Sequence, residues 1–262
     1  MPTTYTHDLF GKAVYQRLPE EMKEIIMHCR MAYLIGLHGP DILFYYRPFL
    51  KNEINQTGHK MHDEIAADFF LSCKEKYRET GDQTLLVYIL GFICHYMLDS
   101  TCHPYIYRYM EKTGAKHDEI ETELDRALME KYGHNPFSFH PASGLHPEKD
   151  AVRAAAAALE GISEKKLRKC LRGMRFYTGV TVCRNPLKRK LLLRLLRIFK
   201  VYDETQGRIL RKKPVSRCQE STGELVSMVK CAVPETVTVL EEFYNTLGEE
   251  GHINYRFQRN YK

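Results

Sequence analysis

The sequence predicts an all-α fold, and three observations carry that prediction. Apolar residues recur three and four apart through almost every segment, the period of a single helix face. Helix start and stop signals punctuate those segments at regular intervals. No segment shows convincing strand alternation, and no internal repeat is present. With 262 residues, 44% hydrophobic and 27% charged, the chain can bury a sizeable core. It is expected to form one domain over 1–262.

Taken in order, the elements follow from local chemistry. His7 opens a first helix. Pro19 starts another, with Glu20 and Glu21 in its first turn, where the helix dipole favours acids. Gly39-Pro40 reads as a turn that presents Asp41. His62 to Tyr77 carries Ile65, Phe69 and Phe70 at helical spacing and should stop near Thr80-Gly81. Asp82 can cap the next helix, which runs through the apolar stretch Leu85 to Cys94 to Asp99. Pro104 should end or restart it, because proline disfavours α geometry in the preceding residue. Lys116 to Tyr132 is a further helix with Ile120, Leu124 and Leu128 on one face. Residues 133–147, with three prolines and two glycines, read as a loop. Val152 to Leu159 contains a five-alanine run, a strong helix former. Ser227 to Leu247 should form a final helix interrupted by Pro234.

The bulk numbers narrow the function classes. A net charge of +6 suits anionic ligands such as phosphate. The N-terminus shows no secretory pattern, and the run Leu85 to Cys94 is too short to cross a bilayer. The eight cysteines include no CxxC pair, so they are expected to be reduced thiols in a cytoplasm. Ten of the twelve histidines lie at or before His140. The chemistry is therefore expected in about 1–135, with about 147–262 as scaffold or substrate surface.

The densest chemistry lies between residues 95 and 121: His95-x3-Asp99-x3-His103, then His117-x3-Glu121. Residues four apart share a helix face, so each pair can point at one ion. Imidazole and carboxylate together suit zinc and related hydrolytic metals, and this many ligands can hold more than one. Metal-activated water acting in a hydrolase is the first expectation. Three adjacent His-Asp pairs, at His7, His62 and His117, also suggest HD-type phosphohydrolases. Neighbours on a helix point about 100° apart, however, and the four-residue spacing explains the same histidines better. Cys94 and Cys102 beside the ligands read as small core residues.

Upstream stand His7, Asp41, and the two histidines of Gly58-His59-Lys60-Met61-His62. With "LHGPDILFYY" from Leu37 and "HYMLDSTCHP" from His95, this ordered set resembles the zinc-dependent phospholipase C family, which is related to single-strand-specific zinc nucleases. The resemblance covers roughly residues 5 to 125. It implies a multi-helix bundle and two or three Zn²⁺ ions. It implies that Asp41, His62, His95 and Asp99 hold one metal and His103, His117 and Glu121 a second. His7 would hold a third, with Asp99 as bridge. It favours His62 over His59, which stays the alternative ligand. Asp41 is implied as general base. In secreted members an N-terminal tryptophan completes the third site. This chain has no tryptophan, and the amino group of Pro2 after loss of Met1 is the corresponding candidate. Ile42 stands where choline-selective members carry an aromatic residue.

The implied activity is metal-dependent hydrolysis of a phosphodiester, above all phospholipase C-type cleavage of a phospholipid. A single-strand nuclease on the same scaffold and a non-catalytic metal- or lipid-binding protein are the alternatives. Tyr45 and Arg47 are substrate-side candidates, against simple packing and an exposed cation. The segment Arg184 to Lys200 mixes leucines with lysine and arginine and has no acid. It fits a peripheral membrane surface, a nucleic-acid contact, or a core helix with a basic edge.

Overall fold

The computed structural model describes residues 4–262. Among them there are twelve α-helices and no strand, as the periodicity requires. The order is α1 Thr4–Tyr15, α2 Glu20–His28, α3 Arg30–Gly36, α4 Glu53–Asp63, α5 Ala66–Thr80, α6 Gln83–Thr113, α7 His117–Lys131, α8 Lys149–Ala158, α9 Glu164–Thr181, α10 Pro186–Ile198, α11 Tyr202–Thr205 and α12 Gln219–Asn245. A 3₁₀ helix over Gly39–Tyr45 joins α3 to the segment before α4. One hydrophobic core runs from Tyr5 to Tyr261. A second, smaller cluster holds Cys183, Leu196 and Ile209. The eight cysteines are unpaired.

The spine is α6, 31 residues long and packed by α1, α3, α8 and α12. Asp82 starts it, its Oδ1 accepting the amides of Thr84 (2.8 Å) and Leu85 (3.4 Å). Gly114 stops it in a left-handed conformation. Contrary to the expectation from the run Leu85 to Cys94 alone, α6 is long and apolar enough to cross a membrane. Yet 94% of its most apolar window is buried inside the protein, which makes it a core helix.

Two glycines allow α3 to cross α6 almost backbone to backbone. A Cβ on Gly36 would stand 2.3 Å from the Tyr88 carbonyl, and one on Gly91 2.3 Å from that of Tyr33. This close crossing delivers the 3₁₀ segment carrying Asp41 onto α6 beside His95.

Three helix boundaries differ from expectation, each for a visible reason. Pro104 does not end α6. The Ser100 carbonyl, which the proline ring cannot bond, accepts the Arg259 guanidinium instead. Pro234 does not interrupt α12, which begins earlier, at Gln219. Pro234 and Lys230, whose carbonyl it frees, both lie exposed, where water can satisfy the loss. The expected helix from His62 is two helices, broken at Glu64 and Ile65. Across the break the Ala66 amide donates to the Arg259 carbonyl (3.1 Å), and the His62 carbonyl accepts the Tyr261 amide (3.4 Å). The segment 259–261 thus replaces the helical bond between Ala66 and His62. Ile65, read at helical spacing with Phe69 and Phe70, lies at this break and is 51% exposed.

Arg259 gives a stability test. Arg259→Ala leaves a buried carbonyl unpaired and should cost about 1–3 kcal/mol in chemical denaturation. Pro104→Ala restores the amide that Ser100 lacks, so the double variant should recover part of that loss. A strictly additive double-mutant cycle would contradict this reading.

Candidate metal centre

The structure brings eight predicted ligands into three groups. These are His7, His95 and Asp99; Asp41, His62 and His95; and His103, His117 and Glu121. Within each group the candidate ligand atoms lie within 4.8 Å of one another. Helix spacing builds the last group: His117 and Glu121 are one turn apart on α7, and His103 faces them from α6. The first two groups need long-range packing, since α1, the 3₁₀ segment and α4 each deliver one residue to His95 and Asp99. Six of the eight residues are buried, and His62 and His117 are half-buried.

Asp99 lies at the junction. Its Oδ1 is 3.2 Å from His7 Nε2, and its Oδ2 is 3.2 Å from His95 Nε2 and 3.6 Å from His62 Nε2. The two oxygens therefore face different imidazoles. His62 Nε2 is also 3.3 Å from Asp41 Oδ1. Glu121 Oε1 is 2.9 Å from His117 Nε2 and 3.6 Å from His103 Nε2.

These separations fit metal ligation. Two ligand atoms about 2.0–2.1 Å from one tetrahedral zinc stand about 3.3 Å apart. His95 Nε2 and His117 Nε2 are buried without a hydrogen-bond partner despite their close carboxylate oxygens, because neither is in line for an N–H···O bond. In a sealed core such orphan nitrogens are costly unless something else uses their lone pairs. Two rings are also oriented from behind. His62 Nδ1 lies 2.7 Å from the Gly58 carbonyl, and His103 Nδ1 lies 2.8 Å from the Tyr261 carbonyl. Each carbonyl accepts a hydrogen bond from Nδ1 and leaves Nε2 as the nitrogen that faces the cluster, the usual arrangement behind a metal ligand.

The electrostatics follow from burial and mutual charge. Burial pushes Asp41 and Asp99 up, but the surrounding imidazoles hold both carboxyls below the usual range. Burial pushes His62 down, but hydrogen bonds and charge from Asp41 and Asp99 outweigh it and raise it to about 10. His38, sealed in the core beside His7 and His95, is lowered to about 3 and stays neutral. Burial also raises the Cys94 thiol to about 12 and raises that of Cys102. Neither cysteine belongs to a ligand group.

The remaining sequence candidates sit elsewhere. His59 is exposed, tilted against the Phe44 ring with centroids 4.5 Å apart, and in none of the groups. Tyr45 is buried and lines a cavity of about 730 Å³. Arg47 is exposed over the Tyr46 ring and away from that cavity, whose lining includes Arg208 instead. Pro2, the candidate amino-terminal ligand, lies outside the described residues.

Two residues that position the site, Asp125 and Tyr261, escaped sequence reasoning, and a third, Gly39, was read there only as part of a turn. Asp125 accepts the Thr6 hydroxyl (2.6 Å) and the amides of Thr6 (2.9 Å) and Tyr5 (3.3 Å), tying α7 to the turn that bears His7. Burial raises its carboxyl to about 7. Its place one turn beyond Glu121 was a usable signal. Tyr261 was not foreseeable, being 158 residues from the histidine it orients. Gly39 adopts φ +44°, and a Cβ there would stand 2.3 Å from the His95 ring, so glycine is needed both for conformation and for space.

Comparison with known proteins agrees with this geometry. The sequence pattern of the family described as zinc dependent phospholipase C matches residues 6–171, more than half of the chain. No curated protein and no solved structure matches it.

Elemental analysis of protein purified without chelators should give two or three zinc ions per chain. Asp99→Ala should release more than one of them, and His117→Ala chiefly one. Loss of a single ion in both variants would refute the bridging position of Asp99. Zinc loading should also release protons near pH 7. His62 of the metal-free protein, with its pKa near 10, is charged there and must become neutral to ligate. Affinity should therefore rise with pH, and calorimetry in buffers of different ionisation enthalpy reads the protons released.

Proposed function

Since the chain belongs to the zinc-dependent phospholipase C family, we propose that it hydrolyses a phospholipid phosphodiester on the glycerol side, releasing a phosphorylated head group. The observation that carries this reading is the adjacency of three carboxylate–imidazole groups to a largely apolar cavity. Phe44 lines that cavity and lies 5.6 Å, ring to ring, from His62. Thr4 and Asp125 line it near His7 and Glu121.

Asp41, His62, His95 and Asp99 would hold one zinc, and His103, His117 and Glu121 another. His7 would hold a third, with Asp99 between it and the first. Bound zinc supplies Lewis acidity to the phosphoryl oxygens and lowers the pKa of water. The chain's own contribution is placement and proton transfer. Asp41, kept ionised by its imidazole neighbours, accepts a proton from the attacking water. The water oxygen bonds to phosphorus, the bond from phosphorus to the glycerol oxygen breaks, and that oxygen takes up a proton. His62, held by Gly58, keeps Asp41 oriented. The eight unpaired thiols support a reducing compartment such as the cytoplasm.

Asp41→Asn tests the assignment. It should lower turnover by at least about a hundredfold, the scale of a general base, with the helical circular dichroism spectrum retained. A phosphodiester panel then defines the class. Release of phosphorylated head groups from phospholipids supports this reading, whereas cleavage of single-stranded nucleic acid without lipid turnover replaces it with a nuclease.

A further inference from the structure

The helix α10 was open to a core reading, and its burial excludes that. Only Leu196 among its leucines is buried. Leu187, Leu191, Leu195 and Ile198, at steps of four, four and three, share a face and are 71%, 58%, 39% and 63% exposed. Phe199, just beyond the helix, is 71% exposed. Some basic residues serve the fold: Lys188 donates to the Val182 carbonyl (2.6 Å), Arg189 to that of Leu210 (3.3 Å), and Arg197 lies over the Tyr202 ring. Lys190 and Arg194 are exposed and have no acidic partner among the described residues. The helix contains no acid.

The opposite face of α10 does different work. Leu192 and Leu196 line the 730 Å³ cavity that begins beside the metal centre at Phe44. Phe49 and Leu50 also line this cavity and remain 55% and 61% exposed. Two of the elements that line the cavity therefore also expose apolar residues, and one of them is strongly cationic.

Resting on the phospholipase reading, we propose that α10 and the 48–50 edge dock on an anionic lipid bilayer and that the cavity takes the apolar chains of the lipid. Charge and apolarity together select this partner. A nucleic acid needs the cations and gains nothing from exposed leucine and phenylalanine. A bilayer surface uses both, burying the apolar face at the acyl boundary and attracting the lysines and arginines with its anionic head groups. Continuity with the cavity supplies the reason for docking here: Leu192 and Leu196 of the docking helix line the same cavity as Phe44, whose ring packs against His62 of the ligand cluster. The docking helix lies beyond the residues matched by the family.

The test is co-sedimentation of the zinc-loaded protein with phosphatidylcholine vesicles, with and without phosphatidylserine. Binding should require phosphatidylserine. Leu191→Asp and Ile198→Asp should abolish it while keeping wild-type melting temperature and zinc content, because both side chains are exposed. Lys190→Glu and Arg194→Glu should each weaken it by at least about fivefold, the equivalent of about 1 kcal/mol per basic residue near such a surface. For the cavity, a fluorescent fatty-acid analogue should bind the wild-type protein, and Leu192→Trp, which narrows the space, should reduce that binding. Absence of phosphatidylserine-dependent binding, or unchanged binding by Leu191→Asp, overturns the docking face. So does retention of a single-stranded oligonucleotide in place of vesicles. No analogue binding, or wild-type binding by Leu192→Trp, overturns the cavity assignment. The two proposals fail separately. Vesicle binding without turnover of any soluble or lipid diester leaves the docking face standing and removes the phospholipase reading. Turnover of a soluble diester without vesicle binding does the reverse.

Discussion

Three carboxylates and five imidazoles lie together within a helical core, and that burial constrains everything around them. Removing a charge from water costs several kcal/mol unless it is answered at close range. Each carboxylate here is answered by imidazole nitrogens between 2.9 and 3.6 Å away, and two of the rings are fixed from behind by main-chain carbonyls. Position is therefore as important as identity. A small displacement of any ring would exchange a compensated charge for an isolated one. The helices that deliver these groups must be held to one another as firmly as each is held within itself.

The segment 254–262 meets much of that requirement. Its Arg259 satisfies the carbonyl that Pro104 leaves open in α6, and its backbone fills the gap between α4 and α5. The Tyr261 carbonyl orients His103, while its ring packs 5.0 Å from that of His62. The Tyr96 hydroxyl donates to the carbonyls of Arg256 and Arg259, anchoring the segment to the middle of α6. One short stretch near the end of the chain thus supports candidate ligands from two of the three groups. Truncation or proteolysis there would act on the metal centre without touching a ligand.

The parts of the site legible in the sequence are those whose geometry is local. His95, Asp99 and His103 share a face of α6, and His117 and Glu121 a face of α7, because helical spacing alone sets those directions. The Asp82 cap and the buried positions Ile120, Leu124 and Leu128 were legible for the same reason. The remaining features depend on partners distant in the chain. Proline rules predicted breaks at Pro104 and Pro234 because they weigh the lost amide without knowing who takes the freed carbonyl. The rule for helical continuity failed at Glu64 because a second segment competes there for the same backbone groups. Asp125 stands one turn beyond Glu121, but its partners, like those of Tyr261, are set only when α1 and the last residues fold against α7 and α6.

The basic, leucine-rich helix shows the same limit from the other side. Its pattern of leucines with lysine and arginine describes a core helix with a charged rim equally well as an interfacial helix. Composition cannot choose between them, because the deciding quantity is whether another element covers the leucine face. None among the described residues does, and the helix rests on a small cluster separate from the main core. Exposed leucine, isoleucine and phenylalanine on one solvent-facing surface carry an unfavourable hydration cost of about 25 cal/mol per Å². A globular fold with 65 other buried apolar positions had other means of covering that face. That it remains uncovered on a helix whose Leu192 and Leu196 line the cavity beside the ligand cluster is the observation on which the proposed lipid docking rests.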